Sequence, residues 1–80
     1  MVEAQIKQVD RFRRTVMVKT ADGRELSLRI GDDTDIEVME WETAGNEPGS
    51  LEDLHEGYLV DVDFTEADSG CACHSLVCIS

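Results

Sequence analysis

Apolar and polar residues alternate along most of the chain, which is the pattern of half-buried β-strands. In the clearest segment, Val16 and Val18 occupy one face of a strand, and Met17 and Lys19 occupy the other. We therefore predict an all-β protein whose strands share one core. The predicted strands cover 2–6, 15–20, 26–30, 36–38, 58–64 and 72–79.

Turn signals separate these strands. Asp22-Gly23 is a dipeptide that adopts the positive φ values of a tight hairpin, so it joins two predicted strands directly. Residues 11–14 break the alternation and predict another turn, with Phe12 folding back over the barrel. We also expect a turn at 31–33 and a surface loop over 43–49, because both segments are rich in Gly, Asp, Asn or Glu.

A short helical turn is predicted before the last two strands. Ser50 is a favoured N-cap residue, and Asp53 lies at the position of the capping-box carboxylate. Gly57 can end the segment in the left-handed conformation. Leu51 and Leu54 are three residues apart, so both can point into the mouth of a barrel.

This order of strands, with a short helix before a closing hairpin, fits a five- to six-stranded OB-like Greek-key barrel. The chain resembles the small uncharacterised bacterial OB-like β-barrel domains, and the resemblance implies a fold without an activity. It differs from them in its cysteine-rich last strand. The resemblance rests on Asp22-Gly23, Leu26-x-Leu28, Thr34-x-Ile36, Ser50-Leu51-x-Asp53-Leu54 and Gly57-x-x-Val60-x-Val62.

Composition and charge narrow the possible functions. Eighty residues suffice for one small domain, so we expect residues 1–80 to form a single OB-like barrel. The net charge is −11, which opposes binding to nucleic acid and anionic membranes. No apolar run can span a bilayer, and the N-terminal residues show no signal peptide, so we expect a cytoplasmic protein.

The charge is unevenly distributed along the sequence. All seven Lys and Arg residues lie within the first 29 positions, beside four acids, and the other fourteen acids follow them. Such asymmetry indicates either two opposed faces or basic strands paired with acidic strands in one sheet.

One cluster of residues has the chemistry of a metal site. Cys71, Cys73, His74 and Cys78 supply three thiols and an imidazole, a donor set that suits zinc or Cu(I). A regular strand cannot close such a site, because it divides these residues between two faces. Buried cysteines are the alternative, with Cys73, Leu76 and Cys78 facing inward if a bulge resets the alternation. An odd number of cysteines leaves one unpaired, and thiols stay reduced in the cytoplasm.

A second candidate is an outer surface formed by Met17, Met39 and Trp41. An exposed patch of this kind binds a protein partner or a second copy, because Trp is enriched at interface hot spots. Alternatively, the 43–50 loop covers it. The acidic segment 32–37 resembles a cation loop but lacks EF-hand spacing, so a solvated turn is favoured.

No catalytic residues are predicted, because the sequence places no base beside a nucleophile and contains no phosphate-binding loop. We therefore expect a non-enzymatic binding or assembly module that associates with a protein partner or with itself. A small zinc or Cu(I) protein is the first alternative. A nucleic-acid-binding OB-fold is the second, and only the Arg11, Arg13 and Arg14 cluster around Phe12 favours it.

Overall fold

The computed structural model describes residues 2–40, 45–68 and 70–79. Within these residues the protein is all-β, with one 3-10 turn, η1, at Leu51–Asp53. No helix in this part of the chain is long and apolar enough to cross a membrane. The strands are β1 (Val2–Asp10), β2 (Thr15–Thr20), β3 (Glu25–Glu40), β4 (Gly45–Pro48), β5 (Leu59–Ala67) and β6 (Gly70–Cys78).

Five of the six strands close into a barrel. β2 pairs with β1 and β3, β1 pairs with β5, and β5 pairs with β6, all in antiparallel register. Parallel pairing between β6 and β3 completes the circle. β4 is an extra strand that pairs with the C-terminal end of β3. The predicted all-β barrel with a short helical turn before the last hairpin is therefore confirmed.

The core lies inside this barrel and follows the predicted alternation. Val16 and Val18 of β2 are fully buried, as are Val60 and Val62 of β5. Ile6, Leu28, Leu54 and Leu76 are the other large side chains without exposed area. Leu51 of η1 and Leu54, the residue that follows η1, both reach the core, as their spacing predicted.

The hairpin at Asp22-Gly23 forms as predicted. Gly23 has a φ of 89°, and the backbone N–H of Thr20 donates to the carbonyl of Arg24 over 2.8 Å. Gly57 has a φ of 92°, the left-handed conformation expected after η1. At the start of η1, the backbone N–H of Ser50 donates to a carboxylate oxygen of Asp53 over 2.8 Å, which is half of the predicted capping box.

The turn predicted at 31–33 is wrong, since β3 continues through this segment as a strand. The register between β3 and β6 shifts between Ile30 and Asp35, so the extra residues form a bulge. The hydroxyl of Thr34 accepts a hydrogen bond from the N–H of Gly31 over 2.9 Å and donates to the carbonyl of Cys73 over 2.7 Å. These two bonds hold the bulge against β6, so the strand bends without reversing.

Two further expectations are corrected. Residues 45–48 of the predicted loop form β4, because their backbone pairs with Glu37–Glu40 at the end of β3. Phe12 does not fold back over the barrel, because the turn that carries it is short and hydrogen-bonded, and its side chain is 96% exposed.

Candidate binding surfaces

The cysteine-rich strand β6 contains a bulge at His74. Asp63 of β5 pairs with Ser75, and the next residue of β5, Phe64, pairs with Cys73, so His74 is the extra residue. The bulge resets the alternation, which places Cys73, Leu76 and Cys78 in the core. This is the arrangement expected for cysteines that serve as small apolar side chains.

Burial sets the chemistry of these thiols. It raises the pKa of Cys73 from 9.0 to about 11 and also raises the pKa of Cys78. Both therefore stay protonated at neutral pH, whereas a metal ligand must be a thiolate. Cys71 is half-buried, and none of the three cysteines is in a disulfide.

The structure does not bring the four predicted metal ligands together. His74 is exposed, and its Nε2 lies 2.6 Å from the hydroxyl of Thr65, whereas Cys73 and Cys78 are buried. Among residues 2–40, 45–68 and 70–79, no three Cys, His, Asp or Glu side chains form a group that could hold a metal ion. The zinc or Cu(I) site stays a prediction that this geometry does not favour.

The structure describes two of the three residues of the predicted Met and Trp surface. Met17 and Met39 are both half-buried. Met17 pairs with Ser27 of β3, and Met39, twelve residues further along that strand, pairs with Asn46 of β4. Their shared surface stays a prediction. Trp41 lies outside the described residues.

The turn between β1 and β2 carries the cluster of Arg11, Arg13 and Arg14 around Phe12, which the sequence suggested only as a feature of a nucleic-acid-binding OB-fold. We call residues Arg11, Phe12, Arg13 and Arg14 the basic turn. The phenyl ring of Phe12 is almost fully exposed on this turn, and the three arginines around it are exposed as well. The signal in the sequence was one aromatic residue within a basic, polar turn.

Hydrogen bonds fix the basic turn. The backbone N–H of Arg13 donates to Asp10 Oδ1 over 3.0 Å, and Arg14 adopts a φ of 55°. The backbone of Arg14 accepts a hydrogen bond from the N–H of Ile30 over 2.8 Å, and its Nε donates to the carbonyl of Ile30 over 3.1 Å. Phe12 is therefore presented by a preorganised turn.

A groove of about 350 Å³ opens beside the basic turn at one end of the barrel. Arg11 and Arg14 line it together with Asp32 and Glu52, and Arg14 lies 3.8 Å from Asp32. Arg14 and Asp32 thus form an ion pair inside the groove. Arg11 and Arg13, on either side of Phe12, form no ion pair within the described residues.

The outer surface of β1, β5, β6 and the C-terminal half of β3 forms a second, acidic surface. Strand register places Asp35 and Asp63 on either side of Ser75. In the next row, Glu37 and Asp61 lie on either side of Val77. Glu3 of β1 follows directly beside Asp61. We call these five carboxylates, with Ser75 and Val77 between them, the acidic face.

The uneven charge distribution along the sequence predicted either two opposed faces or basic strands paired with acidic strands, and the structure contains elements of both. The two ion pairs within the described residues, Arg14–Asp32 and Arg24–Glu66, do connect the basic segment with the acidic one. Neither pair involves a carboxylate of the acidic face. Basic and acidic strands are thus paired in places, and an uncompensated acidic surface remains.

Comparison with family models and with curated proteins identifies no family for this chain. No protein-family model matches the chain, and no curated protein matches it.

Proposed function

We propose that this chain is a non-enzymatic protein-binding module built on an OB-like Greek-key barrel, and that the basic turn is its docking element. The spatial order β5-β1-β2-β3 supports the Greek key, in which a fourth strand returns by a long connection to lie beside the first. In OB-folds, the loop between the first two strands takes part in binding oligonucleotides and oligosaccharides, so it is an exposed recognition element of the fold. The basic turn occupies that position here.

The observation that carries this proposal is the exposure of Phe12. An aromatic ring that is 96% exposed contributes nothing to the core, yet it sits on a turn fixed by hydrogen bonds. Aromatic and Arg side chains are enriched in protein interfaces. A preorganised turn also lowers the entropy lost on binding.

The neighbours of Phe12 indicate the chemistry of the partner. Arg11 and Arg13 present two exposed guanidinium groups, which recognise carboxylates through paired hydrogen bonds. The partner is therefore an acidic protein surface with an apolar site that accepts a phenyl ring.

The test uses a fluorescein-labelled peptide in which Glu and Leu alternate, titrated with the full chain and followed by fluorescence anisotropy. We expect Phe12→Ala and Arg13→Ala each to weaken binding of this peptide about tenfold or more, the effect typical of an interface hot spot. Val2→Ala removes part of an apolar side chain that is 39% exposed on β1, so it is the matched control and should leave binding unchanged. Equal affinities for the wild type and Phe12→Ala would refute the proposal.

Single-stranded nucleic acid is the second candidate ligand, because an exposed aromatic ring among arginines can stack on a base. The net charge of −11 opposes it. A labelled oligothymidylate, titrated under the same conditions, separates the two. Salt-dependent binding of the oligonucleotide without binding of the acidic peptide would replace the protein-binding proposal.

A further inference from the structure

Building on the proposed function, we infer that the partner of the basic turn is the acidic face of a second copy of this chain. One molecule carries both surfaces, and their charges are opposite. Docking the turn of one copy on the face of the next gives head-to-tail association.

The acidic face has the dimensions to accept a phenyl ring. Neighbouring strands lie about 4.8 Å apart, so the Cα atoms of the two acidic residues on either side of Val77 are about 10 Å apart. The row that contains Ser75 lies two residues along the strands, or about 7 Å away. Val77 and Ser75 are half-buried, so they form a shallow, uncharged floor between four carboxylates.

The side chains of the basic turn are complementary to those of the acidic face. Phe12 is almost fully exposed and would cover the methyl groups of Val77, while Arg11 and Arg13 on either side of it would reach the flanking carboxylates. A guanidinium binds a carboxylate with two parallel hydrogen bonds, so the contact has a defined orientation.

Other occupants of the acidic face fit less well. A cation is disfavoured because no group of side chains that could hold a metal ion is found among the described residues. Two acidic faces repel each other, as do two basic turns, which disfavours a symmetric dimer built from either surface alone. A heterologous contact between turn and face avoids both repulsions.

The first experiment is sedimentation velocity of the full chain over a range of concentrations at two ionic strengths. At about 0.1 M, where the screening length is roughly 10 Å, the repulsion between two copies of net charge −11 is weakened more than the contact ion pairs are, so we expect the average mass to rise with concentration. At about 1 M, where the screening length is roughly 3 Å, we expect monomers. A monomer at every concentration and both ionic strengths would overturn the inference.

The second experiment is a mixing test with two variants. The turn variant combines Phe12→Ala with Arg13→Ala, and the face variant combines Asp61→Asn with Asp63→Asn. Each variant retains only one of the two surfaces, so each alone should stay monomeric. Mixed together they should form a one-to-one dimer that grows no further, because the remaining contact cannot propagate. Far-ultraviolet circular dichroism establishes that both variants fold.

The outcomes distinguish this inference from the proposed function on which it rests. If the wild type binds the acidic peptide through Phe12 but stays monomeric, the turn is a docking element and its partner is another protein, so the inference fails alone. If neither the peptide nor a second copy binds, both fail. Association that persists in both variants would show that a different surface is used, which also overturns the inference.

Discussion

Alkaline pH should destabilise this protein through Cys73. The side chain is only 4% exposed and lies between Ile30 of β3 and Phe64 of β5. Burial disfavours the thiolate and raises the pKa of this thiol from 9.0 to about 11. In the unfolded chain the same thiol is solvated and loses its proton near the ordinary value.

The size of the effect follows from this difference in pKa. Between pH 9.0 and about 11 the unfolded state binds fewer protons than the folded state, so the free energy of unfolding falls as the pH rises. One pKa unit corresponds to about 1.4 kcal/mol, which gives a total loss of about 2.7 kcal/mol. Stability is unaffected by this group below pH 9. Cys78, whose pKa is also raised, adds a contribution of the same sign.

The assay is urea unfolding at several pH values between about 8 and 11, under a reducing agent, for the wild type and Cys73→Ala. The difference between the two curves isolates the thiol, because every other ionisable side chain is present in both proteins. Cys73→Ala should be less stable at pH 8 and should lose less stability as the pH rises. Leu76→Val is the control, since it changes the core without removing a titratable group and should shift the curve uniformly.

Parallel curves for the wild type and Cys73→Ala would refute this reasoning. A loss of stability on mild acidification, accompanied by release of zinc or copper, would refute it in a different way. A fold held by metal-bound thiolates loses stability when acid protonates them. A fold that buries neutral thiols loses stability when base removes their protons. The pH profile thus also decides between the two interpretations of the cysteine cluster.

Two further predictions concern stability. Asp61→Asn removes a like-charge pair with Glu3 on the neighbouring strand, so we expect stabilisation by about 0.5 kcal/mol, or about 2–4 °C in Tm, that disappears at high salt in thermal unfolding. Gly49→Ala should destabilise the protein by about 1–3 kcal/mol in urea unfolding, because the added Cβ would lie 2.7 Å from a methyl group of Val38. Gly57→Ala is a contrasting variant, since its Cβ meets no atom within 4 Å and only its φ of 92° opposes the substitution.

Local sequence patterns predicted the parts of the fold that local interactions determine. The hairpin at Asp22-Gly23 needs only a dipeptide that tolerates positive φ and two alternating strands. In β5, the alternation of Val60 and Val62 with Asp61 and Asp63 assigns each side chain to a face without knowledge of the neighbouring strands. These elements were predicted correctly because their signals lie within a few residues.

Long-range contacts determine the parts that the sequence did not predict. Gly31–Asp33 has the composition of a turn, but the hydroxyl of Thr34 binds the carbonyl of Cys73, 39 positions away, and keeps β3 paired with β6. The bulge at His74 likewise depends on pairing with Asp63 and Phe64. No local pattern located that bulge, so the metal-ligand interpretation of the cysteines stayed open beside the favoured core interpretation.

The orientation of Phe12 in the basic turn was predicted wrongly for a related reason. Phe12 was expected to cover the barrel, because an aromatic residue usually contributes more to a core than to a surface. The hydrogen bonds of Arg13 and Arg14 that hold the ring outward involve Asp10 and Ile30, and the second of these partners lies on another strand. Sequence reasoning found the residues of this surface but not their orientation.

The carboxylates of this acidic protein fall into two groups with opposite effects on stability. Asp22 accepts a hydrogen bond from the hydroxyl of Thr20, which lowers its pKa, so it stabilises the fold above pH 3.8 and loses that effect in acid. Glu66 binds Arg24 over 2.7 Å. Asp61 has a like charge as its cross-strand neighbour, so its negative charge opposes folding. If the acidic face binds the basic turn of a second copy, neutralising Asp61 must strengthen folding while it weakens association, whereas neutralising Asp22 must weaken folding and leave association unchanged.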